Sequence, residues 1–288
     1  GWIGTFAGTG PAPCASYRDG QRGRKRRGMH RPDGQADTRL RQAVLTLLIW
    51  LAATLLAGRF LRQGEVASIA DLITALSQGI AWNVVLGLAV LAIATKLCGW
   101  SDLGFRPPTL WLTLRLMWFP VLLLLPIFAV ALSIGLPPVR ATAFLALNTF
   151  LVALSEEWMF RGVLFRALAM RHPIWSAILL TSFMFGSVHV LNGFTYGDLT
   201  QSSTQAVAAM MTGLLLVALL ICTGSIWPPV AFHMIWNFGL LLVSYEAAQQ
   251  TLSEGPLPLE AYLVPLAIVM PNLLYAIFLL RKIGKAPG

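Results

Sequence analysis

The chain has 288 residues, 57% hydrophobic and 11% charged, with a mean hydropathy of +0.70. A soluble domain carries about 25% charged residues, so the composition excludes a soluble globular protein and fits an all-α, polytopic membrane helix bundle. The formal charge of +9 does not point to nucleic acid, because nine of the 21 basic residues precede Gln42 and most of the others flank apolar runs.

Residues 1–42 read as a basic, disordered tail. The run Arg22-Gly23-Arg24-Lys25-Arg26-Arg27 and its Gly- and Pro-rich surroundings contain too little apolar surface to form a core. Met29 is read as the true start, with residues 1–28 upstream of it. From residue 43 to 288 the chain reads as an eight-helix transmembrane domain. The first apolar run is Ala43 to Gly58. Seven more approach the roughly 17–25 residues that a span needs: about Ser77–Thr95, Leu116–Gly135, Ala141–Leu168, Pro173–Leu191, Gln205–Cys222, Ile226–Tyr245 and Leu259–Leu280. The segment from Ala141 is expected to leave the membrane near Phe160 and continue as a short helix. Pro173 and Pro228-Pro229 mark helix starts, where a missing N–H costs nothing. Pro120, Pro126, Pro265 and Pro271 fall inside spans and predict kinks.

Basic residues set the expected orientation. Arg31, Arg39, Arg41, Lys96, Arg106, Arg115, Arg161, Arg166, Arg171, Arg281, Lys282 and Lys285 fall in one set of loops, and Arg59, Arg62 and Arg140 in the other. Both termini are therefore expected in the cytosol, with the protein in the cell (plasma or inner) membrane. The three cysteines, Cys14, Cys98 and Cys222, show no paired spacing and no metal-type motif.

The run from Ala141 to Leu154 contains no ionisable residue and ends in Ser155-Glu156-Glu157. A carboxylate at bilayer depth costs roughly 2.5–3.5 kcal/mol, so two of them need a partner or a purpose. Arg161 lies four residues after Glu157, on the same helical face. Glu156 points about 100° away and has no such neighbour. Glu157 therefore reads as structural and Glu156 as chemical. His189, His233 and Asn237 are the other polar groups in apolar helices that would share an intramembrane polar cavity with this pair. His233 and Asn237 are four apart, which places an imidazole and a carboxamide on one face, where both would aim donors at a single oxygen. Asn83, Asn148 and Asn272 read as satisfying local backbone.

Three motifs in order carry a resemblance: Glu156-Glu157-Trp158-Met159-Phe160-Arg161, then Phe185-Gly186-Ser187-Val188-His189, then His233-Met234-Ile235-Trp236-Asn237. Each lies on a separate apolar helix. Together they resemble the CAAX protease and bacteriocin-processing (CPBP or ABI) family of intramembrane endopeptidases, which includes the type II CAAX prenyl proteases. The resemblance covers about residues 142–245, the implied catalytic core. It implies that Glu156 is the base that activates water, that His189 shares that water, and that His233 and Asn237 stabilise the oxyanion, with Glu157 and Arg161 in support. Glu156, His189 and His233 would also make a zinc set of two histidines and one carboxylate. A metal-free mechanism is favoured, because Asn237 is a poor zinc ligand and a good oxyanion donor. Ser187 and Ser225 lack a nucleophile setting.

The expected partners are the lipid bilayer and a membrane-bound or lipidated peptide, with no nucleic acid. Two other functions compete: a non-enzymatic immunity or scaffold protein, and a proton-coupled transporter. The transporter lacks the internal repeats and paired broken helices common in that class.

Overall fold

A computed structural model describes residues 33–61, 68–196, 198–249 and 259–283. The basic run Arg22 to Arg27, Met29, Arg31 and Lys285 lie outside the described residues, and so do the expectations placed on them. The described residues are helical throughout, with short connections. In order they form α1 (Asp33–Leu61), α2 (Ile69–Gln78), α3 (Trp82–Leu97), α4 (Leu110–Ile134), α5 (Val139–Glu157), a π-helical segment (Trp158–Leu164), α6 (Phe165–Arg171), α7 (Ile174–Val190), α8 (Gly193–Tyr196), α9 (Leu199–Thr223), α10 (Trp227–Gln249) and α11 (Leu259–Leu280).

The exterior is apolar. Leu45, Leu48, Leu125, Leu132, Leu179 and Phe183 are each more than half exposed, a surface that suits lipid and not water. The stretches Gly34–Gly58, Leu110–Ile134, Val139–Arg171, Leu199–Thr223 and Tyr262–Leu280 are long and apolar enough to cross a membrane. Counting α2 and α3 as one bent span gives six, so length and composition alone do not reach the expected eight. The protein is a polytopic helical membrane protein.

Two expectations change. α1 starts at Asp33, inside the stretch that composition assigns to the tail. Its first turns are tethered by Asp37–Arg171 at 2.8 Å and Arg39–Asp102 at 2.9 Å. The expected span Ser77–Thr95 is broken: α2 ends at Gln78, α3 begins at Trp82, and their axes differ by 77°. The helix expected to continue beyond Phe160 runs on through Arg171, with every residue from Met159 to Phe165 buried in protein.

The break between α2 and α3 frees backbone groups that lipid cannot satisfy. Asn148 on α5 satisfies them. Its amide nitrogen donates to the Leu76 carbonyl at 2.8 Å and to the Gly79 carbonyl at 2.7 Å, and its oxygen accepts from the Ala81 N–H at 2.9 Å. Asn148 thus serves distant backbone, and Asn83 likewise donates to Thr54 on α1 at 3.0 Å. Asn272 departs from expectation: it is fully buried, and neither of its amide atoms has a partner among the described residues. Asn148→Ala strands three backbone groups and is expected to cost about 3 kcal/mol, read as a lowered unfolding temperature in detergent. An unchanged temperature would mean that the break holds itself.

α9 is the central post. Residues 212–222 are buried all round, and the helix packs chiefly against α7 and α11. It ends at Gly224, whose φ of +67° is left-handed, a conformation that glycine adopts freely. A Cβ at Gly224 would also run into the Arg106 guanidinium, which donates from Nε to the Gly224 carbonyl at 2.7 Å. The α3–α4 loop is further pinned to this turn by Ser225 Oγ donating to the Arg106 carbonyl at 2.6 Å, and by the Ile226 N–H donating to the Gly104 carbonyl at 2.9 Å. The start of α10, and so the height of His233, is fixed there.

Candidate active site

Four side chains meet directly where α5, the π segment and α10 converge. Glu157 Oε1 accepts from Arg161 Nη1 at 3.1 Å and from His233 Nδ1 at 2.9 Å. The side chains of Glu157 and Arg161 are both 0% exposed. Glu156 Oε2 stands 3.7 Å from His233 Nε2, too far for a hydrogen bond and close enough for one water to serve both atoms. That oxygen is buried and has no hydrogen-bond partner among the described residues, although the Glu156 side chain as a whole is 19% exposed. Glu157 Oε2 is likewise buried without a hydrogen-bond partner among the described residues; the two adjacent carboxylates differ in that Glu157 accepts from a cation and an imidazole at Oε1, while Glu156 accepts no protein hydrogen bond at Oε2.

Local structure explains the placement. Ser155, the residue before the pair, accepts at Oγ from Trp50 Nε1 of α1 at 2.9 Å. The Trp50 ring meets the edge of Phe160, and Phe160 meets Phe185 at 5.1 Å. The π segment begins immediately after Glu157. Its wider turn, of a kind that recurs at functional sites, holds Arg161 beneath the carboxylate with its guanidinium 4.1 Å from the centre of the Phe185 ring. Trp158, between Glu157 and the rest of that turn, is anchored by Nε1 to Thr95 Oγ1 at 3.2 Å and by its ring to Phe105 at 4.8 Å.

His189 is joined to this cluster indirectly. No ion pair links it to either carboxylate among the described residues. Its ring lies 5.2 Å from that of Phe185, which also lies 5.8 Å from the His233 ring. His189 Nδ1 is 2.8 Å from the Phe185 carbonyl. A carbonyl only accepts, so the proton sits on Nδ1 and the neutral ring offers a lone pair at Nε2. Asn237 is half-buried, and its carboxamide makes no protein hydrogen bond among the described residues. Ser225 and Ser187 spend their hydroxyls on backbone carbonyls. Two surface grooves, of about 340 and 550 Å³, lie around the start of α1, and neither is lined by a residue of the cluster.

The zinc set does not fit this arrangement. No group of three His, Cys, Asp or Glu side chains among the described residues is placed to hold an ion. Glu156 and His233 approach each other, but His189 is turned to its own backbone and stands apart.

Residues 138–239 match the family model described as "Type II CAAX prenyl endopeptidase Rce1-like". The matched segment, about a third of the chain, is of the CAAX protease and bacteriocin-processing type. Glu156, Glu157, Arg161, His189, His233 and Asn237 all fall within the matched segment, which runs from the start of α5 into α10. That similarity implies, in general terms, a hydrolase of the intramembrane endopeptidase type. Comparisons with curated proteins and with solved structures found no match.

Sequence reasoning missed the bond between His233 and Glu157, and the contact of Phe185 with both imidazoles. The only signal for Phe185 was its place in the Phe-x-x-x-His motif.

Proposed function

We propose that this CAAX protease relative cleaves a peptide bond in a lipidated or membrane-associated peptide, using water activated by Glu156. The supporting observation is the buried, unpartnered Glu156 Oε2 facing His233 Nε2 at 3.7 Å. A water held there gives one proton to Glu156 while its oxygen adds to the scissile carbonyl carbon. The carbonyl π electrons move to oxygen, and Asn237 donates to that oxyanion from its free carboxamide. Collapse re-forms the C=O and breaks the C–N bond, and the proton on Glu156 passes to the leaving amine.

His233 takes a more specific role than its place beside Asn237 implied. With one proton on Nδ1 facing Glu157, neutral His233 presents a lone pair at Nε2. It orients the water in that form and donates to the oxyanion only as the imidazolium. With the water's two protons directed to Glu156 and His233 Nε2, His189 takes no hydrogen bond from it. Glu157 and Arg161 hold the imidazole and the helix end.

The positions of the basic residues support cytosolic termini in the cell membrane, which would present the site to substrates at the inner leaflet. Comparative peptidomics of membranes containing wild-type or Glu156→Gln protein tests the reading. New peptide C-termini that appear only with the wild type are expected; identical peptide sets would favour a scaffold.

A further inference from the structure

We infer that Gly213, on the central helix α9, is a positioning residue for the catalytic cluster. This rests on the proposed function for its kinetic consequence, but not for its structural one. A glycine in the middle of a long helix costs about 1 kcal/mol relative to alanine, so a 25-residue apolar helix that contains one at its buried centre has a use for the missing side chain.

The surroundings identify that use. A Cβ at Gly213 would lie 3.1 Å from Phe185 Cδ1 and 3.3 Å from Arg161 Nη2, closer than either neighbour accommodates without moving. The Gly213 carbonyl accepts from the same Nη2 at 3.2 Å. The guanidinium therefore rests in a seat with three sides: Glu157 at Nη1, the Gly213 carbonyl at Nη2, and the Phe185 ring on its face. Its position sets that of Glu157 Oε1, which in turn holds His233 Nδ1. The ring that a Cβ would push is the one that contacts both His189 and His233. One added methyl group thus disturbs both imidazoles, through Arg161 and through Phe185, without touching the reacting atoms.

The test uses Gly213→Ala in the purified, detergent-solubilised full chain, with a farnesylated peptide ending in a CAAX sequence as the probe. If Gly213 were a bystander, alanine would raise the unfolding temperature through helix propensity. The seat predicts instead a fall of about 3 °C or more. In an Arg161→Ala background, where the space opens, the added fall shrinks to less than half. On the probe, kcat is expected to drop at least tenfold while KM changes less than threefold. A rise in unfolding temperature, an equal fall in both backgrounds, or an unchanged kcat in an active preparation would each overturn the inference. If the wild type leaves every such peptide intact, the proposed function is what fails, and the two unfolding temperatures still decide whether Gly213 seats Arg161.

Discussion

Glu157→Ala is expected to destabilise the bundle by about 3–5 kcal/mol, the cost of leaving one member of a buried ion pair behind. Arg161 is 0% exposed and would retain the Gly213 carbonyl, the face of Phe185 and the charge of the nearby Glu156, but no direct ion pair. With total stabilities of about 5–15 kcal/mol for folded domains, that is a large fraction. In detergent it should appear as a fall of about 10 °C or more in the unfolding temperature. The double variant Glu157→Ala/Arg161→Ala removes the stranded charge as well, and is expected to lose clearly less than the sum of the two single losses. Additive losses would mean that the pair contributes nothing as a pair.

Glu156→Gln is expected to behave in the opposite way. Its carboxylate has no protein hydrogen bond to lose, and glutamine keeps its shape, so the unfolding temperature should stay close to that of the wild type. Turnover of a farnesylated CAAX peptide should fall by about 100- to 10,000-fold, the usual contribution of a positioned base. Two neighbouring glutamates would then separate cleanly, one controlling stability and the other rate. Near-normal turnover by Glu156→Gln would place the base elsewhere.

What the sequence could show was what local spacing encodes. The i,i+4 relation brought Glu157 and Arg161 together because both lie on one helical stretch. Apolar run lengths gave the helical membrane class for the same reason. Relations between distant segments stayed hidden. His233 is 76 residues from Glu157, and no periodicity says which of two adjacent carboxylates its Nδ1 will meet. The break in Ser77–Thr95 depended on Asn148, about 70 residues away, to satisfy the freed backbone. The π segment changes helical register without a marker in composition. Gly213 looked like any small residue in an apolar helix until the Arg161 guanidinium was seen against it.

The most direct measurement is isotope tracing of the cleaved bond. Purified protein is incubated with the farnesylated CAAX peptide in H2(18O), and the products are weighed by mass spectrometry. One 18O atom in the new carboxyl terminus, formed by the wild type and lost with Glu156→Gln, is the predicted result. Product that carries no 18O, or equal labelling by the Glu156→Gln variant, would contradict a water activated by Glu156.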